Sequence, residues 1–142
     1  MSCLVAAAKA HRGLPHRCQF VAERNGVHFI DDSKGTNIGA TLAALKGLSS
    51  DGKIWLILGG QGKGQDFSLL SQAVSDCCAG VIVIGEAAQD IAHHLSNVPS
   101  LSQAATLKIA VDQAAAAAVP GQIVLLSPAC ASLDMFANYI DR

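Results

Sequence analysis

One junction decides the fold: Phe29-Ile-Asp-Asp-Ser-Lys-Gly-Thr-Asn37, where an apolar strand end runs into a residue suited to cap a helix. In an α/β fold such a junction lies at the carboxyl edge of a sheet, where ligands bind. It also carries both signs of charge within four residues, Asp31 and Asp32 against Lys34, which a purely structural turn does not need. The stretch is therefore predicted to be a ligand site as well as a turn.

Strands and helices alternate along the rest of the chain. Asn25-Gly26 between the apolar runs 18–23 and 27–30 predicts an antiparallel hairpin. The elements predicted after it are a helix capped by Asn37 and ending near Gly47, a strand at 53–58, helix 67–74, strand 80–84, helices 86–95 and 101–118, strand 122–126 and a terminal helix after Ser132. That order predicts a Rossmann-like, doubly wound α/β fold with a mostly parallel sheet, the N-terminal hairpin and helices on both faces.

Composition limits the classes of protein to consider. The 142 residues fit one domain, predicted as 15–142 with a linker at 1–14, and the 51% apolar content is drawn mainly from small aliphatic residues. A formal net charge of −1 without blocks of like charge argues against nucleic acid and membrane surfaces as partners. Five cysteines without Cys-x-x-Cys spacing argue against zinc or disulfides and favour a reducing cytoplasm.

Three loops follow predicted strands, at 31–37, 59–66 and 127–134, and are predicted to meet at one edge of the sheet. The second loop is glycine-rich around Lys63 but is not a phosphate-binding P-loop, because Gly64 stands where Ser or Thr is required and Ile57 where glycine is required. The loop can let the backbone approach a ligand and present one lysine, although this loop by itself favours a plain glycine turn with a solvated lysine.

Ser132 and the pair His16-Arg17 can each be interpreted in more than one way. Ser132 can cap the predicted terminal helix, whose free N–H groups would suit a carboxylate or phosphate. That helix is predicted to bury Leu133, Phe136, Ala137 and Ile140 and to leave Met135 and Tyr139 free to line a cleft. His16-Arg17 suits a nucleotide or is a solvated pair, and Cys130 is not expected to be a nucleophile.

Taken together, these segments resemble the C-terminal domain of the Mur ligases. The resemblance rests on five motifs in register, which are Pro15-His-Arg17 with the hairpin, Asp31 to Asn37, Gly59-Gly-Gln-Gly-Lys63, Asp66-Phe67 and Leu126 to Asp134. It implies an ATP-dependent amide ligase of peptidoglycan synthesis that adds D-glutamate to UDP-linked muramoyl-L-alanine through an acyl phosphate. It also implies missing N-terminal and central domains, the latter expected to hold magnesium, so the fragment alone is expected to be inactive.

The resemblance also implies roles for individual residues. D-Glutamate would be held by Lys34, Thr36, Lys63, Ser132, Leu133 and Tyr139. His16, Arg17 and Asp32 would face the nucleotide, and no residue of this domain would act as a catalytic base or metal ligand. Gly35 departs from the family, which usually has alanine there, a change expected to be mild. The alternatives are a related ligase of the folylpolyglutamate type and a non-catalytic anion- or nucleotide-binding module.

Overall fold

Six strands form one mixed sheet in the computed structural model, which describes residues 14–49, 53–98 and 100–142. The strands in chain order are β1 (Gln19–Arg24), β2 (Val27–Asp31), β3 (Ile54–Gly59), β4 (Cys78–Ile84), β5 (Leu101–Gln103) and β6 (Ile123–Leu126). Their order across the sheet is β1-β2-β6-β3-β4-β5. The hairpin β1–β2 is antiparallel and every other pairing is parallel, as predicted. The central strands β3, β4 and β6 are almost wholly buried, which explains their continuous apolar sequences.

Helices cover both faces of the sheet, but unequally. Those in the described ranges are α1 (Ile38–Leu48), α2 (Ser71–Cys77), α3 (Ala88–His94) and α4 (Leu107–Ala117), with a 3₁₀ turn at Phe67–Leu70 before α2. Helices α1, α2 and α3 pack on one face around Leu45, Leu56 and Ile91. Of these four helices, only α4 packs on the other face, where its alanines lie against Ile57 and Ile82.

The chain changes direction across the sheet at β3. It runs outward from β3 through β4 to β5, then returns along α4 to β6, which lies between β2 and β3. The carboxyl ends of β2, β6 and β3 are therefore neighbours at the point where the strand order reverses. In open α/β sheets this point is the usual position of a ligand crevice.

Asn37 caps α1 as predicted: its side-chain oxygen accepts from the amide of Ala40 at 2.8 Å. The helix predicted at residues 101–118 is wrong in its first part. Residues Leu101–Gln103 form the edge strand β5 beside β4, and the helix begins only at Leu107 with Thr106 as its cap. Pairing with the free edge of β4 outweighs the helical spacing of the apolar residues, because it satisfies backbone groups that β4 otherwise leaves open.

The predicted terminal helix is also wrong, and residues 133–141 form turns. Of the predicted core residues, Leu133 is 63% and Ile140 58% exposed, Ala137 is exposed and Phe136 is half-buried. Asn138 supplies the physical reason, because its side-chain oxygen accepts from the amides of Ile140 and Asp141 at 2.9 and 3.1 Å. A short side chain that captures nearby amides competes with helical hydrogen bonds.

A bilayer-crossing helix would have to be longer and more apolar than any helix in the described parts of the chain. The predicted linker at 1–14 falls almost entirely outside the described residues, at 1–13.

Candidate functional site

Main-chain hydrogen bonds join the three loops that follow β2, β3 and β6 into one rim. The amide of Ala129 donates to the carbonyl of Gly35 at 2.9 Å, which links the third loop to the first. Gln61 and Ala131 exchange two hydrogen bonds, at 2.9 and 3.2 Å, which link the second loop to the third. The predicted convergence of the three loops is therefore confirmed at the level of the backbone, and we call residues 31–37, 59–66 and 127–134 the rim.

Hydrogen bonds to the buried side chain of Asp32 hold the first loop in place. Its side chain is only 4% exposed, and one oxygen accepts from the hydroxyl of Ser127 at 2.7 Å while the other accepts from the amide of Cys18 at 3.1 Å. Thr41 of α1 extends this buried group by donating to the carbonyl of Ser127 at 3.1 Å. A buried carboxylate needs such donors, because an unpaired one would cost several kilocalories per mole.

The side chain of Gln65 also holds the loops together, a role that the sequence did not predict. Its amide nitrogen donates to the carbonyls of Gly62 and Ala129 at 3.0 and 2.8 Å, and its oxygen accepts from the amide of Ile38 at 3.0 Å. One side chain thus joins the second loop, the third loop and the start of α1. Its place two residues after Lys63 was the only available signal, and it does not reveal these partners.

The second loop needs glycine where it passes the third. Gly60 has φ +135°, and a Cβ there would lie 2.3 Å from the carbonyl oxygen of Ala131. The close passage leaves Lys63 exposed at the tip of the loop, with φ +53°. Lys34 is likewise exposed on the first loop, and within the described residues neither lysine forms an ion pair. Both cations are therefore free to meet a negatively charged ligand.

A cleft of about 350 Å³ opens beside the first loop. It is lined by Arg17, Cys18, Asp32, Lys34, Gly35, Ala40, Ala43 and Ala44. Two of the residues expected at the nucleotide, Arg17 and Asp32, thus share a cavity with Lys34, one of those expected at the amino acid. The alanines of α1 give the cleft one apolar wall, and the other wall is polar and cationic.

His16 does not line that cleft. Its Nδ1 lies 2.8 Å from a carboxylate oxygen of Asp31, and its ring meets the ring of Tyr139 edge to face at 6.1 Å between centroids. Burial alone would raise the pKa of Asp31, but hydrogen bonds from Ser33 and His16 more than offset it and lower that pKa below 3.8. The structure thus groups His16 with Tyr139, although the resemblance implies different ligands for the two residues.

The third loop supplies both a buried and an exposed part of the rim. Ser132 is 4% exposed and caps no helix; its carbonyl accepts from the amides of Met135 and Phe136. Leu133 beside it is exposed, Thr36 across the rim is half-buried, and Met135 packs on the core beneath α4. Burial raises the pKa of the Cys130 thiol to about 12, which agrees with the expectation that it is not a nucleophile.

Metal-binding groups are not assembled here: the described residues include no cluster of three or more His, Cys, Asp or Glu side chains that could hold an ion. Cys18, Cys77, Cys78 and Cys130 are free thiols. The chemistry of the rim is therefore that of exposed cations, hydroxyls and backbone groups.

The fold and the rim define a Rossmann-like α/β domain with exposed cations at the carboxyl edge of its sheet. The chain belongs to the Mur ligase family, whose glutamate ligase domain matches residues 16–130. It is 52% identical, over 98% of its length, to the UDP-N-acetylmuramoylalanine–D-glutamate ligases of Acinetobacter baylyi and Pseudomonas aeruginosa. The corresponding ligase of Legionella pneumophila is 51% identical over 100% of the chain. The chain spans only 32% of each of these relatives.

Solved structures of other ligases share the fold at lower identity. A bifunctional folylpolyglutamate synthase/dihydrofolate synthase from Yersinia pestis superimposes with a TM-score of 0.64 at 22% identity, over 82% of this chain and 29% of that one. A murein peptide ligase from Psychrobacter arcticus gives 0.62 at 17% identity, over 86% of this chain and 28% of that one. These similarities establish the Rossmann-like α/β fold predicted from the sequence.

Proposed function

We propose that this chain is the amino-acid-binding C-terminal domain of an ATP-dependent ligase that joins D-glutamate to UDP-N-acetylmuramoyl-L-alanine in cytoplasmic peptidoglycan synthesis. The observation that carries the proposal is the identity of about 50% over nearly the whole chain with ligases of that name. The remaining two-thirds of those relatives has no counterpart in the chain, so the N-terminal and central domains are the partners that the proposal requires.

The charges of the rim support a dicarboxylate as the ligand. D-Glutamate has two carboxylates, and burying them without partners would be costly. Lys34 and Lys63 are exposed cations on two joined loops, and Thr36 and Ser132 add hydroxyls nearby in the same rim. Charge-assisted hydrogen bonds from such groups are about twice as strong as neutral ones. We assign these four residues to D-glutamate, with Leu133 and Tyr139 at its sides.

The cleft beside the first loop supports a position for the nucleotide. Arg17 is exposed there and suits the ribose or phosphates, and the alanine wall of α1 suits an apolar ring face. Asp32 is held by Ser127 and Cys18, so we assign to it the support of this wall together with any contact to the nucleotide. We assign the magnesium ion that accompanies ATP to the central domain, in keeping with the family resemblance.

In the proposed reaction this domain positions a substrate. ATP would transfer its terminal phosphate to the carboxylate of the UDP-linked substrate. The amine of D-glutamate would then attack the acyl carbon, and phosphate would leave. Holding the amine at a fixed place beside the acyl phosphate contributes through proximity and orientation. Accordingly, no side chain of the rim is assigned as a general acid or base.

The test is an NMR titration of the 142-residue chain with D-glutamate. We expect shifts at the amides of residues 33–36, 62–64 and 131–133, smaller shifts with L-glutamate, and weak affinity because half of the cleft is supplied by other domains. Lys63→Ala should abolish the shifts. Lys53→Ala is the matched control, since Lys53 is also exposed but lies at the opposite end of β3.

Three outcomes would contradict the proposal. Equal responses to the two enantiomers would remove the assignment to D-glutamate, and an unaltered response in Lys63→Ala would remove the rim as its site. Turnover by the 142 residues alone would contradict the role of a substrate-positioning domain. The alternative of a folylpolyglutamate-type ligase rests on a shared fold at 22% identity and predicts a preference for L-glutamate, which is bound in one solved structure of such an enzyme.

A further inference from the structure

Arg142 lies beneath the rim, far in sequence from the loops that it contacts. Its side chain is buried, with 9% exposure for the residue. One terminal nitrogen donates to the carbonyl of Cys130 at 2.9 Å, and the other donates to the carbonyl of Ser33 at 2.8 Å. One guanidinium therefore joins the third loop to the first.

The second loop passes close to the same guanidinium. A Cβ placed on Gly60 would lie 3.3 Å from Nη1 of Arg142, so a side chain at that position would meet the guanidinium. The side chain that is hydrogen-bonded to the first and third loops therefore also lies near the second. A planar, rigid fork suits this task, because it holds two carbonyls at a fixed distance and direction.

The charge of Arg142 is not neutralised by a direct ion pair. In the described part of the chain it makes no salt bridge, and its Nε is buried without a hydrogen-bond partner. Burial lowers the pKa of Arg142, while the carboxylates of Asp134 and Asp31 oppose that change from a distance. Because an arginine stays protonated in proteins, a positive charge remains behind the rim.

We infer that Arg142 is a positioning residue, which fixes the first loop against the third, to which the second loop is hydrogen-bonded, and adds a positive potential beneath the site for the anionic substrate. No contact with the substrate is implied: Arg142 acts through the loops that carry Lys34, Lys63 and Ser132. The part of the inference that concerns the substrate rests on the proposed function. The part that concerns the loops does not.

The first experiment needs no ligand. Amide hydrogen exchange is measured for Gln61, Ala129 and Ala131, whose N–H groups form the hydrogen bonds between loops. In Arg142→Ala we expect these amides to exchange at least about tenfold faster, since two hydrogen bonds from a charged donor are lost. The amides of β3 should keep their protection. Arg24→Ala, which removes an exposed arginine from the hairpin, is the control and should change none of them.

Arg142→Lys tests the planar geometry of the guanidinium separately from its positive charge. A lysine keeps the positive charge but presents it as a point, so it cannot hold both carbonyls in the geometry of the fork. We expect the lysine variant to lose the protection of the inter-loop amides. Its affinity for D-glutamate should fall less than that of Arg142→Ala, for which we expect at least about a tenfold loss. If the alanine variant does not fold, the lysine variant still tests the loops.

The outcomes distinguish the two proposals. If the unmodified chain does not respond to D-glutamate, the proposed function fails, and the exchange rates still decide whether Arg142 holds the loops. If the unmodified chain binds and both variants match it in exchange and affinity, the inference about Arg142 is overturned. Loss of protection at β3 as well as at the rim would also overturn it, since Arg142 would then act on the whole fold.

Discussion

Gly35 provides a sharp test of how the first loop is held. A Cβ added there would lie 2.6 Å from a carboxylate oxygen of Asp32 and 3.0 Å from the hydroxyl oxygen of Ser127. Those two atoms are hydrogen-bonded to each other at 2.7 Å in the buried layer under the rim. Gly35→Ala therefore cannot be accommodated without moving one of them.

The expected cost follows from two opposing contributions. Loss or distortion of a buried hydrogen bond to a carboxylate costs about 1.5–3 kcal/mol. Replacing glycine by alanine restricts the unfolded chain, which returns about 0.4–1 kcal/mol. We therefore expect Gly35→Ala to lower the free energy of unfolding by roughly 1–2 kcal/mol. The resemblance implies only a mild effect at this position, so the measurement distinguishes the two expectations.

Urea unfolding followed by the fluorescence of the single tryptophan, Trp55, measures this cost. Gly47→Ala is the matched control: Gly47 lies in α1, a Cβ there meets no described heavy atom within 4 Å, and helix propensity predicts a gain of about 0.5–1 kcal/mol. In a Ser127→Ala background the cost of Gly35→Ala should shrink, because the carboxylate of Asp32 is then free to turn away. An unchanged cost in that background, or a Gly35→Ala chain as stable as its parent, would refute the reasoning.

Further substitutions test the core, the rim and the thiols. Gly80→Ala should destabilise by about 1–3 kcal/mol in the same urea assay, since its Cβ would lie 2.2 Å from the ring of Trp55 and overpack the sheet. The pKa of Asp31 is lower in the folded chain than its ordinary value of 3.8. The ionised carboxylate therefore contributes its full stabilisation above pH 3.8 and loses it as the pH falls through the folded pKa. Asp31→Asn should make the free energy of unfolding less dependent on pH in that range. Lys63→Ala should leave the free energy of unfolding within about 0.5 kcal/mol of the parent, because an exposed loop lysine adds little to the core. Iodoacetamide at pH 8 should spare Cys130 in the folded chain and label it in urea, and fast labelling without denaturant would contradict its burial.

Local signals in the sequence predict most of the sheet. Asn25-Gly26 predicts the hairpin, Asn37 predicts the start of α1, and the apolar run at β3 predicts a buried strand; all three are confirmed. The two misses have different causes. Edge strand β5 exists because β4 offers a free edge, which no local pattern encodes. The expected terminal helix is replaced by turns where Asn138 captures two nearby amides, a local effect that the helical spacing of the apolar residues does not reveal.

The site divides in the same way. The exposed cations Lys34 and Lys63 and the grouping of three loops follow from the order of strands and loops, which is visible in the sequence. The side chains that hold the loops together cannot be predicted from that order. Arg142 contacts Ser33 across 109 positions, and Gln65 reaches Ala129 across 64, so composition and spacing give no sign of either pair.

The bonds between the loops run mostly through peptide groups, as at Gln61 with Ala131 and Ala129 with Gly35. Because peptide groups are common to all residues, the frame survives exchange of the outward-facing side chains. A descendant of this domain could therefore acquire a different ligand preference through a few surface replacements, without rebuilding its scaffold. Sequence change is restricted at the few side chains that join loops, Asp32, Gln65, Ser127 and Arg142, where one replacement disturbs two loops at once.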